Sequence, residues 1–150
     1  MKRTYIRAAV LLCVLVIAGI AVHSQPPQMK NEPGRYLISI YNVSAGKHLA
    51  FLKWFAQQEA VSKEAGGPAA MWFRHTDGAS WDYIVVTPVG TPTQEEELGK
   101  KVDALAKSKG MPTGAASQLE FRSFISNHSD TYSMGPMTAA ELVKEAEKKN

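Results

Sequence analysis

Residues 34–55, GRYLISIYNVSAGKHLAFLKWF, carry the pattern that most clearly predicts the fold of this chain. Apolar residues alternate through its first part, which predicts a strand over residues 35–43 with apolar side chains on both faces. Tyr36, Ile38 and Ile40 point to one face, and Leu37, Tyr41 and Val43 point to the other.

The second part of this stretch predicts an amphipathic helix. Ser44 is expected to be its N-cap, and the helix is expected to run to about Ala65 before Gly66-Gly67-Pro68 ends it. At 100° per residue, the apolar side chains fall on one arc. They are Phe51, Trp54, Phe55, Val61 and Ala65, with Lys53, Gln57 and Glu64 opposite.

Downstream of this helix, the pattern continues as strand, strand, helix, strand. Strands are predicted over residues 69–76 and 80–87, joined by a turn at Asp77-Gly78. Thr93 and Glu96 form a predicted capping box for a helix that ends near Gly110. A fourth strand is expected over residues 118–126, followed by an irregular tail and a short helix capped by Thr138 and Glu141.

This order of elements predicts an α+β fold. Two strand–helix–strand units joined by a hairpin give the ferredoxin-like βαββαβ sandwich. Its four-stranded antiparallel sheet carries both helices on one face, and a short C-terminal helix follows.

The first 24 residues are predicted to be a signal peptide. Lys2, Arg3 and Arg7 precede an apolar run, residues 8–22, that is about 15 residues long and shorter than the ~20 residues of a membrane-spanning helix. We expect an exported protein, periplasmic or secreted, with an uncleaved N-terminal anchor as the alternative. Residues 25–34 are then a flexible linker, 35–127 the domain, and 128–150 the C-terminal tail and short helix.

Charge and cysteine content exclude several function classes. The chain has 17 basic and 14 acidic residues, and the predicted signal holds three of the basic ones and no acidic one. The processed protein is therefore formally neutral, which does not support nucleic-acid binding. The single cysteine, Cys13, lies in the signal, so disulfides and cysteine nucleophiles are excluded from the processed chain.

Apolar residues on both faces of the sheet predict a partner. Two helices cover one face, and each large apolar side chain left exposed on the other forfeits roughly 1.5–3 kcal/mol. Half a dozen of them would forfeit on the order of 10 kcal/mol, comparable with the whole stability of a small domain. We expect a homodimer through the open sheet face. In the alternative, the chain's own tail after Asn127 covers that face.

The element order, the stretch quoted above and the hairpin FRHTDGASWDYIVV resemble the dimeric α+β barrel superfamily. That group includes NIPSNAP-like proteins and antibiotic-biosynthesis-type monooxygenases. The resemblance covers about residues 35–127 and is one of architecture, because the superfamily has no single catalytic motif. It implies a homodimer with a pocket between sheet and helices in each protomer. Some members oxidise aromatic substrates without a cofactor, some isomerise lactones, and some bind or degrade haem.

Three histidines remain in the processed chain. His48, in the first turn of the first helix, is the best candidate for a catalytic acid or base, although a histidine bonded to a backbone carbonyl is the simpler reading. His75, beside Asp77 and Asp82, is either an oriented base or part of a hairpin. His128 and Asp130 form a secondary polar cluster. The predicted topology places His128 at the opposite end of the sheet from the other two, and no metal site is expected.

Other polar and aromatic residues are candidates for ligand binding. Gln58 interrupts the apolar arc of the first helix, and a buried amide needs a partner. The full set of candidate ligand-binding residues is Gln58, Trp72, Arg74, His75, Trp81 and Tyr83. We expect a small hydrophobic or aromatic ligand to be bound without catalysis and without a cofactor. The alternatives are a cofactor-independent monooxygenase or isomerase, or a haem-binding protein.

Overall fold

The computed structural model describes residues 34–148. The predicted signal peptide and nearly all of the predicted linker lie outside this range. The elements, in chain order, are β1 (Gly34–Val43), α1 (His48–Glu64), β2 (Met71–Arg74), β3 (Tyr83–Pro88), α2 (Pro92–Ser108), α3 (Ala115–Arg122), β4 (Ile125–Gly135) and α4 (Ala139–Lys148).

The four strands form one sheet in the order β2-β3-β1-β4. Every neighbouring pair is antiparallel, so β1 and β2 run in the same direction. This is the predicted ferredoxin-like α+β arrangement, and it is confirmed.

Strand β1 is central, and its side chains alternate between the two faces of the sheet as predicted. On one face, Tyr41 contacts Phe51 and Phe55 of α1 and Phe121 of α3. We call this face the helix side. The other face, which carries Tyr36 and Ile38, is called the open side.

The core lies on the helix side. Phe51 has no exposed surface, and its ring lies 5.6 Å from that of Tyr83, nearly parallel to it. Tyr41, Val43 and Val85 complete the buried cluster. Aromatic pairs at this spacing stabilise a fold beyond the gain from apolar burial alone. Phe51 therefore holds α1 against the middle of the sheet.

Helix α1 begins later than predicted, since Ser44 is not its N-cap. The Ser44 carbonyl instead accepts a hydrogen bond from Lys47 N at 2.9 Å, closing a turn in which Gly46 has a φ of 74°. The helix therefore starts at His48. The predicted apolar arc is confirmed, with Phe51 and Val61 buried.

The predicted hairpin at Asp77-Gly78 is present, but its strands are shorter than expected. His75 N donates to the carbonyl of Asp82 at 2.9 Å and closes the loop. The Asp82 carboxylate turns away to accept a hydrogen bond from Val43 N at 2.7 Å. Residues 75–82 form the loop between the two strands.

Helix α2 is capped two residues earlier than predicted. Thr91 and Gln94 form the capping box, with Pro92 in the first turn, a position where a missing N–H costs nothing. Arg35 binds Glu95 at 3.1 Å near the start of this helix, and Lys109 binds Glu64 at 2.9 Å just beyond its end. Two ion pairs therefore hold the ends of α2 against β1 and α1.

The fourth strand was predicted in the wrong place. Residues 115–122 form α3, and β4 occupies 125–135, so the expected boundary at 127 falls inside a strand. The alternation of Leu119, Phe121, Ser123 and Ile125 imitates a strand, but Phe121 packs on Trp54 of α1 with ring centroids 5.5 Å apart. The true strand carries mainly polar residues and is held by pairing along the whole of β1.

The C-terminal tail lies on the open side. Thr138 and Glu141 form the predicted cap of α4, with Thr138 N donating to Glu141 Oε2 at 2.6 Å. Hydrogen bonds from Thr138 lower the pKa of Glu141. Leu142 of α4 and Met137 lie beside Tyr36 and Ile38 around a shared cavity, so the tail covers one end of the open side.

Candidate functional site

A cavity of about 620 Å³ lies between the sheet and helices α1 and α2. We call it the helix-side cleft. Its volume falls within the range of pockets that take small molecules. Its apolar walls include Leu37, Phe55, Val85 and Val102, and its polar groups include Ser39, Tyr41 and Gln58.

Four polar side chains form a compact block where β1 meets β4. Tyr41 pairs with His128 across the two strands, and Ser39 pairs with Asp130. Because residues two apart along a strand share a face, all four lie on the helix side. We call these four residues the polar block; two of them, Ser39 and Tyr41, line the cleft.

The Tyr41 hydroxyl stays protonated well beyond neutral pH. Burial raises the pKa of Tyr41, a hydrogen bond with Ser39 opposes the rise, and the negative charge of Asp130 adds to it. Only 7% of Tyr41 is exposed. The polar block therefore presents a hydroxyl, not a phenolate, to the cleft.

His128 lies behind Tyr41, away from the cleft. Its ring is 6.3 Å from that of Tyr41 and nearly parallel to it, and its Nε2 lies 3.6 Å from Asp130 Oδ2. The edge of Phe121 meets it at 5.5 Å. The predicted pair of His128 and Asp130 thus exists, but on a strand rather than in a loop.

This position corrects the predicted topology of the histidines. Because β4 begins beside Val43 and not at residue 118, His128 lies near the end of β1 that leads to His48, not at the opposite end. Even so, residues 34–148 contain no group of three or more His, Cys, Asp or Glu side chains able to hold a metal ion.

Gln58 lines the helix-side cleft, as well as an adjoining cavity of about 300 Å³. It is half-buried, and its amide makes no hydrogen bond to any other residue in the part of the chain described. A half-buried amide in this state has donors and an acceptor to offer to a ligand.

The other predicted site residues lie outside the cleft. His48 is exposed, and its ring meets the edge of Tyr83 at 6.1 Å. Trp72 and Tyr83 pack against Phe51 in and around the core. Trp72 Nε1 also donates to Glu59 Oε1 at 2.6 Å.

The residues predicted around the hairpin serve the hairpin itself. Ala79 N donates to His75 Nε2 at 3.0 Å, and the His75 ring lies 5.3 Å from Trp81. Arg74 ends β2 with its side chain exposed. The structure does not bring these three residues to the cleft.

Sequence reasoning missed Ser39 and Tyr41. The available signal was Ser39, a polar residue at a position of β1 that faces the helices between Leu37 and Tyr41. Ser39 is 5% exposed, and a buried hydroxyl indicates a polar partner nearby. That partner strand was hidden because β4 was placed several residues too early.

A second cavity, of about 340 Å³, lies on the open side. Strand residues Ile38, Met71 and Phe73 form its floor, and Met137 and Leu142 of the tail form part of its wall. We call it the open-side cavity. Phe73 remains 52% exposed, so the tail does not cover the whole face.

Among the helices of residues 34–148, none combines the length and apolar character required to cross a bilayer.

Comparison with known proteins identifies similar structures but no family. No family model matches the chain, and no curated protein matches it. A solved protein from Agrobacterium tumefaciens is 16% identical, covers 70% of this chain and 95% of its own, and has a TM-score of 0.46.

Two further similar structures are a NIPSNAP domain protein and a cofactor-independent oxygenase. An uncharacterized NIPSNAP domain protein from Burkholderia xenovorans is 12% identical over 70% of this chain and 96% of its own, with a TM-score of 0.43. SnoaB, a cofactor-independent oxygenase from Streptomyces nogalater, is 11% identical over 69% of this chain and 92% of its own, with a TM-score of 0.43. The strand order and register described above define the fold without them.

Proposed function

We propose that this protein binds a small, largely apolar molecule in the helix-side cleft. One observation carries the proposal: the amide of Gln58 lines the cleft without a hydrogen-bond partner among the described residues. Residues 34–148 contain no buried side-chain nitrogen or oxygen atom that lacks a hydrogen-bond partner, so the unpartnered amide of Gln58 is open to solvent in the cleft. A bound ligand can displace this water and take over its hydrogen bonds.

The shape and chemistry of the cleft support the same proposal. Its volume of about 620 Å³ accommodates a molecule of two or three fused rings. Leu37, Phe55 and Val102 offer apolar contact, while polar groups gather at Tyr41 and Gln58. An apolar pocket with a few convergent polar groups is typical of small-molecule sites.

A filling substitution tests this proposal. Val102→Trp places an indole in the cleft, whereas Ala104→Trp adds the same group on the exposed side of α2. Calorimetry with a panel of uncharged two-ring aromatic compounds should detect binding to the wild type and to Ala104→Trp. Val102→Trp should bind at least tenfold more weakly. Equal binding by both variants would show that the ligand binds outside the helix-side cleft.

A second candidate is proton transfer at the polar block. The Tyr41 hydroxyl borders the cleft, and the carboxylate of Asp130 with His128 beside it could take up a proton. Conversion of a bound compound that is lost in both Tyr41→Phe and Asp130→Asn would favour an enzyme. Unchanged ligand recovered after prolonged incubation would leave binding as the function.

We also infer that a second copy of the chain covers the part of the open side that the tail leaves exposed. Phe73 is half exposed there, in a strand whose neighbours on that face are apolar. Burying this area would recover free energy in proportion to it. Light scattering of the purified protein tests the inference, since a monomer would exclude it.

Export is likewise a proposal and rests on the sequence of residues 1–24. Intact mass measurement of the protein recovered from its natural compartment tests it. Loss of about 24 residues supports a cleaved signal, and the full mass supports an anchor.

A further inference from the structure

We propose that the helix-side cleft selects an uncharged ligand that carries an oxygen atom able to accept a hydrogen bond from Tyr41. This inference rests on the proposed binding function and adds the chemical class of the ligand. It depends on the geometry of the polar block and on the charges that surround it.

The polar end of the cleft offers donors. Tyr41 is 7% exposed and lines the cleft beside Ser39. The hydrogen bond from Ser39 lowers the pKa of Tyr41, so Ser39 donates to the Tyr41 oxygen and leaves the Tyr41 O–H as a donor. The Gln58 amide contributes two N–H groups. A hydrocarbon would leave these donors without partners. Each buried polar group without a partner costs roughly 1–3 kcal/mol, so the site favours a ligand with an acceptor.

The position of Asp130 disfavours an anion at the same place. Its carboxylate lies on the cross-strand partner of Ser39, diagonal to Tyr41 on the helix side of the sheet. The same negative charge makes ionisation of the Tyr41 hydroxyl less favourable. A ligand carboxylate that accepted a hydrogen bond from Tyr41 would meet the same repulsion.

The remaining charged groups near the cleft do not reverse this preference. Glu59 lines the cleft, but its carboxylate accepts the Trp72 indole N–H. Lys63 lines it from an exposed position on α1, and the side chain of Asp130 is itself 47% exposed. Water screens both charges, but the charge that acts on the Tyr41 hydroxyl is that of Asp130.

Three probes with one aromatic frame test the inference. These are 2-acetylnaphthalene, which has a neutral acceptor, 2-ethylnaphthalene, which has none, and 2-naphthoate, which is anionic. We expect the ketone to bind about tenfold more tightly than the hydrocarbon, equivalent to one hydrogen bond of about 1.4 kcal/mol. The carboxylate should bind at least tenfold more weakly than the ketone.

Matched variants show which residues cause the preference for the ketone over the other two probes. Tyr41→Phe should remove the difference between ketone and hydrocarbon without weakening the hydrocarbon. Tyr132→Phe, which removes a hydroxyl bonded to Glu95, should preserve the difference. Asp130→Asn should improve the binding of the carboxylate more than that of the ketone.

The outcomes separate the two proposals. If none of the three probes binds, the binding function itself fails. If all three bind with equal affinity, or if the carboxylate binds best, the ligand class is wrong while the binding function stands. A preference for the ketone that survives Tyr41→Phe would also overturn the assignment.

Discussion

Tyr41 and His128 face each other across β1 and β4, with ring planes 13° apart and centroids separated by 6.3 Å. Their pairing places the histidine and its neighbour Asp130 behind the hydroxyl that borders the helix-side cleft. The polar block therefore lies on two adjacent strands, and Gln58 of α1 adds a further polar group to the cleft.

The first prediction concerns pH and Tyr41. Burial raises the pKa of Tyr41 above its ordinary value of 10.0, so the unfolded chain loses this proton at a lower pH than the folded one. The contribution of protonated Tyr41 to the free energy of unfolding is fully present below pH 10. It is lost as the pH rises through the higher pKa that Tyr41 has in the folded protein, by up to about 1.4 kcal/mol per pH unit. Urea denaturation between pH 8 and 11 measures the loss. It should be smaller in Tyr41→Phe, and an identical slope in both proteins would contradict the prediction.

The second prediction concerns the attachment of α2. Glu95→Gln breaks an ion pair with Arg35 whose partners are 35% and 30% exposed, and it weakens the bond from the Tyr132 hydroxyl. We expect a loss of about 1 kcal/mol in the free energy of unfolding. Glu96→Gln is the control, because its pair with Lys100 lies within α2 and is mostly exposed. A control loss as large as that of Glu95→Gln would show that the contact with β1 is unimportant.

The third prediction concerns the open side. Phe73→Lys places a charge in the surface proposed to meet a second copy, and it should convert the dimer to a monomer as measured by light scattering. Leu119→Lys is a matched control, since Leu119 is 71% exposed on α3. Dissociation by the control alone would place the interface on the helices.

The fourth prediction concerns the C-terminal region. A chain ending at residue 127 loses most of β4 and should not fold, as judged by the absence of a cooperative thermal transition. A chain ending at residue 138 keeps β4 and loses only α4, so it should melt cooperatively. Folding of the shorter chain would show that β4 is dispensable.

Sequence predicted the part of the fold in which local pattern and tertiary structure agree. Tyr36, Tyr41 and Val43 of the alternating strand are buried, and so are Phe51 and Val61 of the apolar arc. Strand β4 escaped prediction because its stability comes from pairing with β1, while its own residues are polar and lack apolar alternation. Residues 115–122 were misread because Leu119 and Phe121, two positions apart among polar residues, imitate the alternation of a strand.

The candidate site was predictable only in part. Gln58 gave a local signal, since an amide on an apolar arc stands out in the sequence. Tyr41 gave none, because an aromatic residue in a strand is ordinary until its cross-strand neighbour is known. His48 was favoured as a catalytic residue because it lies in the first turn of α1. In the structure its ring contacts the edge of Tyr83 instead of lining the cleft.

Strand β1 supplies walls to two cavities at once, with odd-numbered residues facing the helix-side cleft and even-numbered ones facing the open-side cavity. Inserting one residue near the start of this strand would exchange the two sets, sending Tyr41 to the wrong surface while leaving composition almost unchanged. Point substitutions in β1 can therefore change the lining of the helix-side cleft or of the open-side cavity separately. An insertion or deletion within these ten positions would change the lining of both.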